Sequence, residues 1–234
     1  MAVSGPDAVR AVMDQARCLL LDFDGPVCDI FAGLPASTVA ATLRTTLEEA
    51  GAKLPAQARA TDDPLEVFRL SASLGAELNQ LTLRALMDLE VKAASTARLT
   101  PGAADLMERA HDKGLPVAIV SNNSVAAVTT FLDREGLGGL VQYVSARAAA
   151  DPSLMKPSPY LLEQALSHLD AEPSSALLVG DSVTDVEASK LAGVVAVGFA
   201  NRAGKLDRLG DAGADLLVTS MEELADALTK SERA

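Results

Sequence analysis

A chain of 234 residues is long enough to bury a sizeable core, as one domain of ordinary size or one domain carrying a large insertion. With 49% hydrophobic and 22% charged residues it is globular rather than disordered, and it has no apolar run of the roughly eighteen residues a membrane span needs. A net charge of −12 argues against general binding to nucleic acid or anionic membrane, so an anionic partner can bind only where local cations, a divalent ion or backbone amides overcome that field. The opening residues MAVSGPDAVR show no basic cluster ahead of an apolar stretch, so no secretory signal is read there and a cytoplasmic location is expected. Cys18 and Cys28 are too few for a disulfide framework or a zinc site and are expected to be reduced packing residues.

The first apolar run, CLLLDF at 18–23, reads as a buried strand. From about 29 to 99 the spacing is helical throughout, with helices expected at 37–50, 64–74 and 77–94 and with Asp62 or Asp63 placed to cap the second ahead of Pro64. Beyond 100 the pattern becomes strand and helix in alternation. Helices are predicted at 101–113, 124–135, 157–169, 184–192 and 221–228, and strands at 115–121, 140–145, 176–181, 194–199 and 214–219. Gly114, Gly136 and Gly193 stand where helices should stop, and the tail SERA is expected to fray. Such alternation implies an α/β fold, a parallel sheet covered on both faces by helices, here with an inserted helical subdomain.

Four strand ends carry polar residues that a packed sheet does not need. They are Asp22 and Asp24 in LLLDFDG, Ser121 and Asn122 in AIVSNN, Lys156 in MKPSP, and Asp181 and Asp185 in LLVGDSVTD. The carboxyl ends of parallel strands form the ligand crevice, so these groups are expected to face a common opening. Singly, each has a plain alternative, since aspartates after strands cap turns and a lysine is usually solvated. The order and chemistry of the set are far more specific than any one member.

In those segments the sequence resembles the haloacid dehalogenase-like superfamily, whose four motifs match DFDG, the serine of SNN, the lysine of KPSP and GDSVTD. The likeness runs from Cys18 to about Phe199, and the helical insertion is similar to the cap of the α-lidded, phosphoglycolate phosphatase-like subclass. It implies a Rossmann-like doubly wound core of residues 1–29 and 100–234 and a mobile helical cap of 30–99. One position departs from the pattern. Where the family usually has threonine, this chain has Pro26, which offers neither hydroxyl nor backbone donor. Asp29, at the entrance to the insertion, is read as a hinge or structural residue.

The residue types fit a defined chemistry, phosphate monoester hydrolysis. A carboxylate such as Asp22 can attack phosphorus and divide one hard displacement into two easier ones, and Asp24, by resemblance, protonates the leaving oxygen and then deprotonates water. Crowded carboxylates call for a hard dication, for which Mg2+ fits best. The resemblance assigns Asp22 and Asp181 to the metal through their side chains, Asp24 through its carbonyl, and Asp185 to the surrounding water shell. Lys156, the Ser121 hydroxyl and backbone amides near Asn122 and Gly25 are expected to hold the phosphoryl oxygens. A small phosphorylated metabolite is the expected partner. A phosphomutase on the same scaffold is the alternative, a non-catalytic binding module a more distant one. A dehalogenase would need neither the second aspartate nor the metal. Natural substrate and oligomeric state are not legible.

Overall fold

The computed structural model describes residues 3–229; the expectation for the SERA tail falls outside them. The strands in chain order are β1 (Cys18–Leu21), β2 (Cys28–Asp29), β3 (Arg98–Leu99), β4 (Val117–Ser124), β5 (Tyr143–Arg147), β6 (Ala176–Gly180), β7 (Val195–Phe199) and β8 (Leu216–Val218). The helices are α1 (Pro6–Gln15), α2 (Ala36–Glu49), α3 (Ala56–Ala60), α4 (Pro64–Ser71), α5 (Ala76–Ala94), α6 (Ala103–Asp112), α7 (Val125–Glu135), α8 (Tyr160–Leu169), α9 (Val183–Ala192), α10 (Lys205–Ala212) and α11 (Met221–Ala227). All six expected strands join one parallel sheet in the order β5-β4-β1-β6-β7-β8.

Alternation along β1 shows why its run is uninterruptedly apolar. Leu19 and Leu21 enter one core with Ile119, Val179, Met107 and Phe131, while Cys18 and Leu20 enter another with Val120, Leu178, Leu162 and Ala165. A strand covered on both faces has no solvent side on which to place polar residues. The order of strands reverses at β1, with β4 and β5 to one side and β6, β7 and β8 to the other. That reversal opens a crevice at the carboxyl ends of β1 and β6. Both cysteines are buried free thiols whose acidity burial suppresses, that of Cys18 to a pKa of about 11.

The segment between β2 and β3 is helical, as expected, and builds its own apolar cluster from Val39, Leu43, Leu47, Val67, Phe68 and Leu86, joined by Met155 next to the lysine of KPSP. Asp63 caps α4, its Oδ1 accepting the Leu65 amide at 2.8 Å. The segment's two ends are tied by an antiparallel pairing of β2 with β3, Cys28 opposite Leu99 and Asp29 opposite Arg98. Strands of two residues are too short to leave a periodicity signal. Among the described residues no helix is long and apolar enough to cross a membrane.

Two boundaries move for identifiable reasons. β4 continues past Ser121 to Ser124 because the register with β5 shifts there and Ser124 pairs with Arg147. α8 starts at Tyr160 rather than 157, since Ser158 precedes Pro159 and a residue before proline is driven out of helical geometry; the Lys156–Pro157 peptide is cis. The unforeseen α10 begins after Gly204 and contains Gly210, a composition that reads as loop.

Candidate active site

Beyond the end of β1 the chain carries Asp22, whose amide still donates to the Val179 carbonyl of β6 at 2.9 Å. Asp22 is therefore fixed by the sheet, not by a loop. Asp181 follows β6 directly, and Asp185 lies three residues into α9. One oxygen from each of Asp22, Asp181 and Asp185 falls within 4.8 Å of the others, forming a group among the described residues that could hold a metal ion. Two glycines permit this approach. A Cβ on Gly25, which has φ +109°, would stand 2.4 Å from Asp181 Cγ, and one on Gly180 would stand 2.3 Å from Asp185 Cβ.

Lys156 lies at the centre of the carboxylates. It is only 2% exposed, and its Nζ is 2.8 Å from Asp22 Oδ1, 2.6 Å from Asp185 Oδ1 and 2.9 Å from the Val120 carbonyl. Asn122 holds its main chain at both ends, Oδ1 accepting the Lys156 amide at 2.8 Å and Nδ2 donating to the Lys156 carbonyl at 3.2 Å. Asp185 carries two duties. Oδ2 closes a capping box with Ser182 at the start of α9, while Oδ1 faces Lys156.

Charge crowding leaves its mark on acidity. Burial, reinforced by Asp185, pushes the Asp22 carboxyl well above its ordinary range despite Lys156 beside it. Asp24 is raised to about 7, first by burial and then by Asp181. Asp181 is raised by burial, with Lys205 opposing. Burial alone would lower Lys156, but Asp185 and Asp22 outweigh it and hold the ammonium above its usual value. A site in which several carboxyls resist ionisation fits a hard dication, and the all-oxygen donor set of Asp22, Asp181 and Asp185 suits Mg2+.

A cleft of about 900 Å³ opens over this cluster, lined by Asp22, Asp24, Gly25, Asn122, Lys156, Asp181 and Asp185 among others. Seven of the eight expected residues therefore share one wall. Ser121 does not reach it. Its side chain is wholly buried, the hydroxyl donating to Asn123 Oδ1 at 3.3 Å and accepting the Asn123 amide at 3.1 Å. Pro26 is accommodated because the loop closes around it. Gly25 donates to the Cys28 carbonyl at 2.7 Å, and the Thr100 hydroxyl crosses over to the Gly25 carbonyl at 2.6 Å. Asp29 faces the cleft from the β2–β3 pairing.

Sequence reasoning missed Lys205, whose ammonium bonds Asp181 Oδ2, and Asn201, whose Nδ2 lies 3.4 Å from the same oxygen. A signal was available, because both follow the carboxyl end of the run at 194–199, as the other site residues follow theirs. Arg98, Arg202 and Arg208 also line the cleft and have no ion-pair partner among the described residues.

Fold and site together define a doubly wound α/β protein with an acidic crevice at its switch point and a buried lysine within it. The chain belongs to the haloacid dehalogenase-like hydrolases, whose family model matches residues 16–193. It is 33% identical over 140 residues to a phosphoglycolate phosphatase of Synechococcus elongatus, covering 58% of this chain and 62% of that protein. This chain thus spans less than two thirds of that relative's length. A phosphoglycolate phosphatase of Neisseria meningitidis serogroup A is 24% identical over 246 residues, 94% of this chain and 97% of that protein. Among solved structures, CbbY of Rhodobacter sphaeroides in complex with xylulose 1,5-bisphosphate superposes with a TM-score of 0.65 at 20% identity, over 92% of this chain and all of that one. At that identity the likeness shows the fold alone.

Proposed function

We infer that this protein is a Mg2+-dependent phosphatase that hydrolyses a small phosphate monoester through a phosphorylated Asp22. The observation that carries this is the convergence of Asp22, Asp24, Lys156, Asp181 and Asp185 on one cleft, in a chain of a hydrolase family. In the first step an Asp22 oxygen attacks phosphorus, the phosphorus–ester oxygen bond breaks, and Asp24 gives its proton to the leaving oxygen. In the second, water attacks the acyl phosphate, Asp24 takes the water's proton, and inorganic phosphate leaves as the Asp22 carboxylate is restored. A pKa of about 7 for Asp24 suits a group that must both donate and accept near neutrality.

The metal, when bound by Asp22, Asp181 and the Asp24 carbonyl with Asp185 behind them, supplies positive charge for the transferring phosphoryl group. Lys156, Asn122 and the Gly25 backbone serve the phosphoryl oxygens from the protein side. Ser121 holds Asn123 near the end of β4. Residues 30–99 act as the cap, and their junction at the β2–β3 pairing is the hinge. Arg98, Arg202 and Arg208, which line the cleft of so acidic a protein without an ion-pair partner among the described residues, favour a substrate with a second anionic group. The relatives' phosphoglycolate and the bisphosphate bound to CbbY are of that kind.

Phosphate release across a panel of monoesters tests this. Turnover is expected with Mg2+ and none with chelator, and substrates with an anionic group besides the phosphate, such as phosphoglycolate, are expected to exceed p-nitrophenyl phosphate in kcat/KM. Mg2+ is also expected to raise the melting temperature of the wild type but not of Asp181→Asn. A panel silent with Mg2+, or a metal-independent melt, would count against the assignment.

Asp24→Asn is expected to reduce kcat by about 10²–10⁴-fold, the usual share of a general acid–base group, while Mg2+ still raises the melting temperature. In chelator the same substitution should stabilise the protein above about pH 8. The Asp24 carboxyl is raised in the fold to about 7 from about 4 in the unfolded chain. Between these values the unfolded chain binds fewer protons, so this group makes stability fall as pH rises through that window. Near pH 4 and below the advantage of the variant should vanish. A melting difference independent of pH would rule out this account of Asp24.

A further inference from the structure

We propose that Glu90 and Arg147 are positioning residues of the active site, coupling helix α5 of the helical segment to the placement of Lys156. The proposal rests on the phosphatase assignment for its catalytic meaning, and on geometry of its own for the coupling. Glu90 is wholly buried and Arg147 is 3% exposed. Arg147 Nη2 meets Glu90 Oε2 at 2.6 Å, and neither residue touches the carboxylate cluster.

What each does with its remaining atoms is informative. Glu90 Oε2 also accepts the Ser124 amide at 2.9 Å, and Oε1 accepts Asn123 Nδ2 at 3.2 Å. Arg147 Nε donates to the Asn122 carbonyl at 2.9 Å, and its guanidinium carbon lies 5.1 Å from the Phe68 ring centre on α4. The pair thus holds Asn122, Asn123 and Ser124 in succession. Asn122 in turn grips the Lys156 main chain at nitrogen and oxygen, and Lys156 Nζ stands 2.8 Å from the Asp22 oxygen. A continuous set of hydrogen bonds therefore runs from a helix of the expected cap to the ammonium beside the nucleophile.

A buried ion pair is a poor device for stability alone, because apolar residues of similar volume often serve as well. Arg147 Nη1 is buried with no hydrogen-bond partner among the described residues, which makes this pair costlier still. What the pair provides and apolar residues would not is direction. Three hydrogen bonds from the pair fix Asn122, Asn123 and Ser124 at the end of β4, on which a buried lysine depends, and a displacement of that lysine by about 1 Å can cost a hundredfold in rate.

The decisive variant is the double replacement Glu90→Met with Arg147→Met, which removes both charges at similar volume and so separates stability from direction. Its melting temperature is expected to exceed that of either single replacement, while kcat falls about 10- to 100-fold and KM changes by less than about threefold. Arg147→Lys, which keeps the charge but loses the Nε bond to Asn122, should not restore kcat. Recovery of kcat along with stability in the double variant, or rescue by Arg147→Lys, would overturn the proposal.

A second readout needs no turnover. In protein labelled with ¹⁵N-lysine, the Lys156 ammonium resonance, assigned by its loss in Lys156→Met, is expected to shift or broaden in both the double variant and Glu90→Gln. An unmoved resonance in Glu90→Gln and the double variant would also overturn it. Were the wild type to release no phosphate, the phosphatase assignment would fall, while the resonance would still decide whether the pair positions Lys156.

Discussion

Asp22→Asn is expected to lower phosphate release by a factor on the order of 10⁴ or more, the scale seen when a nucleophile is removed, without unfolding the protein. The amide matches the carboxylate in shape, and Oδ1 can still accept the Phe23 amide, now at 2.7 Å. It also removes one acidic group from a cluster in which burial and Asp185 oppose its ionisation. In chelator the variant should therefore melt no lower than the wild type. The covalent step has its own signature. Acid-quenched wild-type protein should carry phosphate on the peptide containing Asp22, detected by mass spectrometry, and Asp22→Asn should carry none. Wild-type rates in the variant would refute nucleophilic attack by Asp22, whatever the fold.

Lys156→Met is expected to be comparably damaging, for a different reason. Its ammonium is 2% exposed and lies between two carboxylates at 2.8 and 2.6 Å. Removing one partner from a buried charge cluster typically costs about 3–5 kcal/mol, because the anions left behind have no water to turn to. Loss of a donor to the phosphoryl oxygens adds about 10²–10³ in rate. Charge logic supplies the control. Combining Lys156→Met with Asp22→Asn should recover much of the melting temperature, since one orphaned anion is removed, but no turnover. Lys156→Arg should not rescue activity either, because a planar fork cannot occupy the place of a point charge set among three oxygens. If Lys156→Met melted like the wild type with Asp22 and Asp185 intact, the lysine would not be compensating them.

How much of this was legible beforehand follows from the kinds of signal involved. β1 announced itself because a strand covered on both faces must be apolar at each position from Cys18 to Leu21. α4 was legible through Asp63 and Pro64, which act within one turn. Several of the missed elements have weak or contrary signals. The two-residue strands β2 and β3 have no period to detect, and α10 includes a glycine that propensity argues against. The surroundings of Ser121 were illegible for a different reason. Sequence placed this residue at the strand end, but β4 runs on to Ser124, and the Ser121 hydroxyl bonds Asn123.

What the sequence determined by itself was the chemistry available and its approximate address, since strand periodicity and the residue following each strand are local properties. It determined that Asp22, Asp24, Asp181 and Asp185 stand beyond apolar runs, and hence at one end of a parallel sheet, with Lys156 just ahead of a helix. Only the tertiary structure decided which of them touch. Strand order, absent from any local pattern, sets β6 beside β1 and so Asp181 near Asp22. Long-range packing likewise brings Lys205 to Asp181 and Glu90 to Arg147, pairs 24 and 57 residues apart. Contact between distant charges is settled by the path of the whole chain, because the energy that selects it is shared across the core rather than carried by the residues that meet.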